Sequence, residues 1–490
     1  MKMCDEAPRG GRVFDLAVGE SAMAALRDGS RRRVTLLAVN EPRCRVRGVI
    51  RGPSVTVDVD GEPAEVPSAE YHLPQVVKGL KVACSVTRGV AEAVGRHQDV
   101  YALDKDARLR CWALDEPLFG PTPLVYPAKQ AWFASMTQMA NERCYVNACE
   151  LAPTKPTDYI YHHYGLDIGG HDRAVPIVAA RSGRVVVRGE EKAPDYNGEG
   201  GEVRYDRVVI RDDAGWCFLY SHLDMIAPGI KLGGHVEAGD PVGVLGKEGS
   251  SGGWSHLHFG ITGPQPSGRY GQVEGYPLLV EAYLHEHPGA LLACARPHRV
   301  AAPGEPVALD GSRSVCDGTR IRAFRWTLHD GETVDHVRAV RTYPNEGMFS
   351  EMLTVTDERG RTDVDFCVVQ ILPADGDPAK TPPAMHLTCY PTEDLVPGQP
   401  IAFKARTFFG TSAFESNRAG LERWDFGDGT TATTCSGAPG RGTACAPTDF
   451  AERWHAYDKP GRYIVTVRRT GKNGLSATAQ VKVDVRRPRE

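Results

Sequence analysis

From Arg31 to about Cys111, β-branched residues alternate with polar ones between turn signals, as in Val34-Thr35-Leu36-Leu37-Ala38-Val39 and Ser54-Val55-Thr56-Val57-Asp58-Val59-Asp60-Gly61. A period of two puts alternate side chains on opposite faces of a strand, so this stretch predicts a small β-domain. Residues 115–128 hold four prolines and two aromatics and are too broken for a regular element, which makes them a connection. A second unit runs to about Pro288, rich in glycine turns and short β patterns such as Gly183-Arg184-Val185-Val186-Val187 and Arg207-Val208-Val209-Ile210. It closes on the clearest helical candidate of the chain, residues 276–285, with Leu278, Leu279, Ala282 and Tyr283 at helical spacing.

Beyond Leu292 the pattern repeats itself. Pro303-Gly304-Glu305-Pro306-Val307-Ala308-Leu309 recurs as Pro397-Gly398-Gln399-Pro400-Ile401-Ala402-Phe403, and Arg325-Trp326-Thr327-Leu328-His329-Asp330-Gly331 recurs as Arg423-Trp424-Asp425-Phe426-Gly427-Asp428-Gly429. These are two copies of one module. Between them, residues 373–384 include four prolines, the composition of a semi-rigid spacer. The second copy has a longer insertion with Cys435 and Cys445, read as a stapled loop. Trp424 to Gly429, with the His-x-Tyr-x-x-x-Gly-x-Tyr element from His455 to Tyr463, resembles the polycystic-kidney-disease (PKD) repeat, an immunoglobulin-like β-sandwich; the first copy matches that pattern less tightly. Each tryptophan is expected to anchor a core between two sheets and each Asp-Gly to make a hairpin turn. Neither copy shows a catalytic constellation, so a spacer is the leading reading for this third of the chain.

At about 150 residues per domain, 490 residues call for three or four folded units. The expected order is an N-terminal β-rich domain (1–115), a central unit (116–290), a first sandwich (291–373), a Pro-rich linker (374–384) and a second sandwich (385–490), a mainly β, multidomain chain. With 41% hydrophobic and 24% charged residues the composition is that of a soluble folded protein. The formal net charge of −4 gives no positive field for nonspecific nucleic-acid binding, so nucleic acid is not an expected partner. No apolar run is long enough for a membrane span, and the first thirty residues lack the apolar core of a secretory signal. Thirteen cysteines scattered through every segment favour disulfides and an oxidising, extracytoplasmic compartment.

Seven of the sixteen histidines, at 162, 163, 171, 222, 235, 256 and 258, fall within fewer than a hundred residues. Three strings stand out: His162-His163-Tyr164-Gly165-Leu166-Asp167, Tyr220-Ser221-His222-Leu223 and Ser255-His256-Leu257-His258-Phe259. Read as strands, His163 shares a face with Asp167 and His256 with His258, while Leu166, Ile168, Leu257 and Phe259 face a core. His162 rivals His163, since a slip of one residue exchanges them; the spacing to Asp167 favours His163. Two imidazoles and a carboxylate are the protein ligands of a catalytic zinc, whose fourth position stays open for water. His171 and His235 read as structural or solvent-facing, and His285-Glu286-His287 as an exposed helix end.

Residues 161–261 resemble the lysostaphin/LytM-type zinc metallopeptidases, the β-lytic family, whose members mostly cut stems or cross-links of peptidoglycan. The matching strings are His163-Tyr164-Gly165-Leu166-Asp167-Ile168, Tyr220-Ser221-His222-Leu223, the glycine-paced run from Leu232 to Gly243, and His256-Leu257-His258-Phe259. The resemblance implies an antiparallel β peptidase domain with its site in a groove, one Zn2+ per chain held by His163, Asp167 and His258, and His222 and His256 as catalytic residues. The sequence departs from the family at Gly260, where many relatives carry glutamate, and at Trp254, a position commonly small or proline. Neither is an expected ligand. Trp254 is read as a substrate surface and residues 193–202 as a groove wall.

The function expected is therefore that of a zinc endopeptidase outside the cytoplasm, acting on peptidoglycan or peptide. Its C-terminal modules would hold it to a cell-surface polymer or space it from one, and its N-terminal unit would bind a partner or cover the groove. A noncatalytic cell-wall-binding scaffold and a metalloprotease of glycine-rich proteins are the rivals.

Overall fold

A computed structural model of the chain describes residues 9–46, 48–94, 99–132, 135, 139–146, 160–374, 380–408, 421–436, 450–471 and 474–487. Among the described residues strands dominate, and the two helices are Arg88–Val94 and Tyr276–Glu286. The chain is mainly β and multidomain, as the alternation predicts.

The N-terminal alternation becomes two four-stranded antiparallel sheets. One runs Arg12–Leu16, Ala107–Ala113, Leu80–Thr87, Gln75–Val77; the other runs Ser21–Ala25, Arg31–Asn40, Ser54–Val59, Glu62–Pro67. Val34, Leu36, Val55, Val57 and Val59 turn inward against Leu80, Val82 and Leu109. The consecutive apolar pair Leu36-Leu37 interrupts the period of two, and the pairing accommodates it with a register shift between Leu36 and Ala38 that leaves Leu37 exposed.

The next unit is built on a larger antiparallel sheet in the order Leu166–Gly169, His256–Pro264, Cys217–Ser221, Val208–Arg211, Gly183–Arg188, Glu191–Lys192. One face carries Leu166, Ile168, Leu257, Phe259, Ile261, Phe218 and Tyr220 into the largest apolar cluster of the molecule. Helix Tyr276–Glu286 lies in the same cluster through Leu278, Leu279, Ala282 and Tyr283, the residues whose spacing predicts it. A small three-stranded sheet of Pro176–Val178, Pro241–Leu245 and Leu223–Ile226 packs beside it.

In the C-terminal third, Trp326 and Trp424 are both buried in separate cores, and Gly331 and Gly429 take the positive φ that their hairpin turns require. The two copies do not hang apart. Gly347–Asp357 of the first runs parallel to Ser476–Val485 of the second through Met348 and Ala477, so one nine-stranded sheet spans both. Residues 375–379 of the expected Pro-rich linker lie outside the described residues.

Among the described residues the expectation of widespread disulfides is not met. Cys84, Cys111, Cys217, Cys294, Cys316, Cys367 and Cys389 are free thiols, and six of them are buried. Those six are distributed over five apolar clusters, where they act as small core residues. Cys435 is disulfide-bonded, whereas Cys445, its partner in the expected stapled loop, lies outside the described residues.

Trp424 donates its indole N–H to Thr434 Oγ1 at 2.7 Å and packs against Phe426. Trp424→Ala is expected to cost about 3–5 kcal/mol through the cavity left behind. Urea unfolding of the full chain checks it, the expectation being a C-terminal transition at lower denaturant and an unchanged slope.

Candidate active site

The opposite face of the large sheet is polar at one end. Asp167 pairs directly with His258, Gly169 with His256, and Ser221 with His258 on the other side. The alternation that sends Ile168, Leu257 and Phe259 into the core therefore sends Asp167, His256 and His258 to this face. His163 arrives differently from the expectation. It does not share a strand with Asp167, because Ile160–His162 ends before it and Leu166–Gly169 begins after it. The turn between them uses Gly165 at φ +92°, where a Cβ would stand 2.9 Å from the Phe259 carbonyl oxygen and 3.1 Å from the His258 ring. Glycine lets the backbone fold His163 back over Asp167. His162 stays in its strand, opposite Cys144.

Three donor atoms converge. His163 Nε2 lies 3.0 Å from Asp167 Oδ1 and 3.1 Å from His258 Nδ1, and His258 Nδ1 lies 2.8 Å from Asp167 Oδ1. A tetrahedral ion with bonds of about 2.0 Å has ligand-to-ligand edges of roughly 3.3 Å, so this triangle is close to the shape that such an ion spans. The donor chemistry also fits, two imidazole nitrogens and one carboxylate being able to hold a metal ion. All three groups are largely removed from solvent, with side-chain exposures of 2% for His163, 8% for Asp167 and 13% for His258.

Burial sets the charges. It opposes ionisation of Asp167, but His163 and His256 beside it hold its carboxyl well below the usual carboxylate range. Burial pushes His258 down to about 4 and takes His256 well below the ordinary imidazole value, which keeps both rings neutral. At His163 burial works in the same direction but the Asp167 charge outweighs it, and the shift is upward.

His222 sits at the junction of Cys217–Ser221 and Leu223–Ile226 with φ +68°, a conformation rare for a residue with a Cβ. The kink is held by Asp206, which accepts the His222 backbone N–H at 2.7 Å and is itself gripped by Arg204. His222 Nδ1 lies 2.6 Å from the Glu248 carbonyl oxygen, and His256 Nδ1 lies 3.1 Å from that of Trp254. A carbonyl only accepts, so His256 carries its proton on Nδ1 and keeps Nε2 as the basic nitrogen, whereas His222 Nδ1 faces both the Glu248 carbonyl and Arg204 Nη2, the latter at 3.0 Å. The two ring centroids are 4.6 Å apart, and His256 Nε2 is 3.6 Å from Asp167 Oδ2.

Residues 161–268 match the model of Peptidase family M23, and residues 291–371 that of the PKD domain. The chain carries an M23 peptidase domain followed by a PKD domain. Among solved structures, LytM from Ruminococcus gnavus is 25% identical over 33% of this chain and 61% of its own, with a TM-score of 0.22. Lysostaphin from Staphylococcus simulans is 18% identical over 48% of this chain and 91% of its own, with a TM-score of 0.20. The PKD1 domain of Vibrio anguillarum Epp is 21% identical over 17% of this chain and 93% of its own, with a TM-score of 0.15. The PKD match falls on the first copy, although the second spells the motif more tightly; described strands of the second copy are separated by the long segments 409–420 and 437–449.

The M23 domain thus gathers His163, Asp167, His222, His256 and His258 at one place. His235 is exposed beside Glu237, and His171 is buried with Nδ1 2.8 Å from the Asp172 carbonyl oxygen. His285 lies exposed in the last turn of its helix. Residues 193–202 pack by Ala193 and Tyr196 on Val209, Cys217 and Leu219, the same sheet face as the histidines. Trp254, read from the sequence as a substrate surface, is half-buried: it stacks on His256 at 3.8 Å and meets His386 edge-on at 4.9 Å. Asp206, Arg204 and the Glu248 carbonyl escape a reading of the sequence, because a main-chain acceptor has no residue type and an aspartate sixteen positions before His222 has no distinctive spacing.

Burial opposes the Asp206 charge, yet the His222 and Arg204 hydrogen bonds hold its carboxyl far below the ordinary value. A depressed carboxyl stabilises the fold above its unfolded value, about 4, and that stability is lost as pH falls toward the folded value. Asp206→Asn is therefore expected to lower Tm at neutral pH and to flatten the fall of Tm below about pH 4. An acid limb identical to that of the native chain would contradict this anchoring.

Proposed function

We propose that this chain is a zinc-dependent endopeptidase that hydrolyses peptide bonds in peptidoglycan stems or cross-bridges. The observation that carries the reading is the convergence of His163, Asp167 and His258, whose donor atoms lie within 4.8 Å of one another inside the M23 match. These three residues would hold one Zn2+. When bound, the ion supplies Lewis acidity, polarising the scissile carbonyl and making water acidic enough to attack near neutral pH.

The remaining work falls to the chain's own groups. His256, with Nδ1–H pinned to the Trp254 carbonyl, and His222, with Nδ1 oriented by the Glu248 carbonyl and Arg204, would present Nε2 as a base that takes a proton from the attacking water and returns one to the leaving amine. Once protonated, either ring donates a hydrogen bond to the developing oxyanion. The buried setting strengthens these interactions. Residues 193–202, on the same sheet face, would form a wall of the groove for an extended peptide.

The cell wall as target rests on the resemblance to lysostaphin/LytM-type enzymes, and with it an extracytoplasmic place of action. Among the described residues no helix is long and apolar enough to cross a membrane. The C-terminal modules would bring the enzyme to a cell-surface polymer, raising its effective concentration there.

Metal analysis and turnover on the full chain test the proposal. The native chain is expected to carry about one zinc and to lose turnover on chelation. His258→Ala should lose both zinc and activity, whereas His256→Ala should keep the zinc and lose about 10²- to 10⁴-fold in kcat. Stoichiometric zinc without turnover would instead indicate a cell-wall-binding scaffold. Purified cell wall and an oligoglycine peptide, assayed side by side, test the target, and cleavage confined to protein substrates would overturn it.

A further inference from the structure

Residues 246–255, Gly-Lys-Glu-Gly-Ser-Ser-Gly-Gly-Trp-Ser, join Pro241–Leu245 to His256–Pro264 and include four glycines and three serines. Such a composition has little conformational preference of its own. Yet this loop supplies both carbonyls that orient the histidines, Glu248 for His222 at 2.6 Å and Trp254 for His256 at 3.1 Å, and lays the Trp254 ring on His256. Its inner side is held by Ser251, which donates to the Lys247 carbonyl and accepts the Gly253 N–H, and by the Tyr205 hydroxyl, which accepts the Gly249 N–H.

Its outer side is held by the second C-terminal module. Arg406 donates from Nη1 to the Gly253 carbonyl at 2.5 Å, and a Cβ on Gly253 would stand 2.8 Å from that guanidinium. His386 meets Trp254 edge-on at 4.9 Å, and Phe408 packs against both His386 and Arg406. Lys247 extends its ammonium over the Phe450 ring. At the neighbouring bend, where Gly170 donates to the Ser255 carbonyl, Lys404 bonds the buried Asp172 carboxylate at 2.9 Å.

These contacts come from one sheet face. In the antiparallel pair Ala384–Tyr390 and Ile401–Phe408, His386 stands opposite Arg406, Ala384 opposite Phe408, and Thr388 opposite Lys404. The alternate residues Met385, Leu387, Cys389, Phe403 and Ala405 fill the module's core. A free spacer would present that polar face to water. Here Arg406 and Lys404 each reach an acceptor on the peptidase domain, close to the site.

We infer that the second C-terminal module is a positioning element of the peptidase: it clamps residues 246–255 and, through the Glu248 and Trp254 carbonyls and the Trp254 ring, sets the orientation of His222 and His256. Arg406 and His386 are positioning residues that act through the loop. The inference rests on the catalytic reading of these two histidines, and it assigns Trp254 to support of His256 in place of substrate binding.

The test uses the full chain with Arg406→Ala, Arg406→Lys and His386→Ala. Zinc content, kcat and KM are measured on cell wall and peptide, and hydrogen–deuterium exchange is followed over residues 246–255. Arg406→Ala is expected to keep its zinc, to lower kcat about 10- to 100-fold with KM within about twofold, and to speed loop exchange about tenfold. Arg406→Lys, which can still donate to the Gly253 carbonyl, should recover part of kcat. His386→Ala leaves no carbonyl unpaired and serves as the second variant should Arg406→Ala unfold; it should show the same changes at smaller amplitude. Unchanged kcat and exchange in the folded variants, or a rise in kcat, would overturn the clamp. Absence of hydrolysis by the native chain would instead overturn the peptidase reading, and the exchange comparison would still decide whether the module holds the loop.

Discussion

The pairing of Leu166–Gly169 with His256–Pro264 is the constraint on which the site depends. Because side chains alternate strictly, a slip of one residue would turn Asp167 and His258 into the apolar core and present Ile168 and Leu257 on the polar face. The register is fixed from the opposite face. Leu166, Ile168, Leu257, Phe259 and Ile261 are each buried to 1% exposure or less. Burial of such a side chain is worth about 1.5–3 kcal/mol, so several together outweigh the cost of holding a carboxylate between two imidazoles. The core thus does the work of assembling the polar site. Cys217–Ser221 locks the far edge by pairing Tyr220 with Phe259 and Ser221 with His258.

That arrangement leaves a buried carboxylate between imidazole rings, a cluster whose electrostatics favour a cation. Asp167 remains ionised although buried, and His258 remains neutral because it is buried. An anionic oxygen facing two imidazole nitrogens suits a divalent metal, which compensates the charge and takes the place of the protons the rings direct at the carboxylate. On the His222 side the logic is mechanical. The chain must leave one sheet and enter another at a residue with positive φ, and the Asp206 carboxylate holds the backbone N–H there while Arg204 neutralises it.

What the sequence reveals follows from where the information is local. Period-two runs make the N-terminal sheets legible, helical spacing marks Tyr276–Glu286, and the two buried tryptophans are visible because the module occurs twice. His256 and His258 are readable as one face because they share a strand. His163 lies outside that logic: strand alternation relates it to Asp167 for the wrong reason, since a glycine turn separates them. The cysteines mislead because composition does not distinguish a thiol that packs from one that pairs. The setting of Trp254 is half legible: His256, on which it stacks, is two residues away, but His386, which it meets edge-on, belongs to a module more than a hundred residues away.

The same distance bears on what the repeated modules are for. If the second copy only spaced the enzyme from a surface, its sheet would need a solvent-compatible face and no shape complementarity to the peptidase. Instead, that face puts a guanidinium on a glycine carbonyl, an ammonium on a buried carboxylate and an imidazole edge on the tryptophan that backs His256. The edge pairing of Met348 with Ala477 fastens the second copy to the first, and Lys482 bonds Asp363 across the same junction at 2.6 Å. Asp363 in turn accepts the backbone N–H of Ala293, just beyond the helix that ends the peptidase core. The second module is therefore held both by the first module and directly against the peptidase loop. A body held at two such points restrains the outer side of a glycine-rich loop that Ser251 and Tyr205 hold from within.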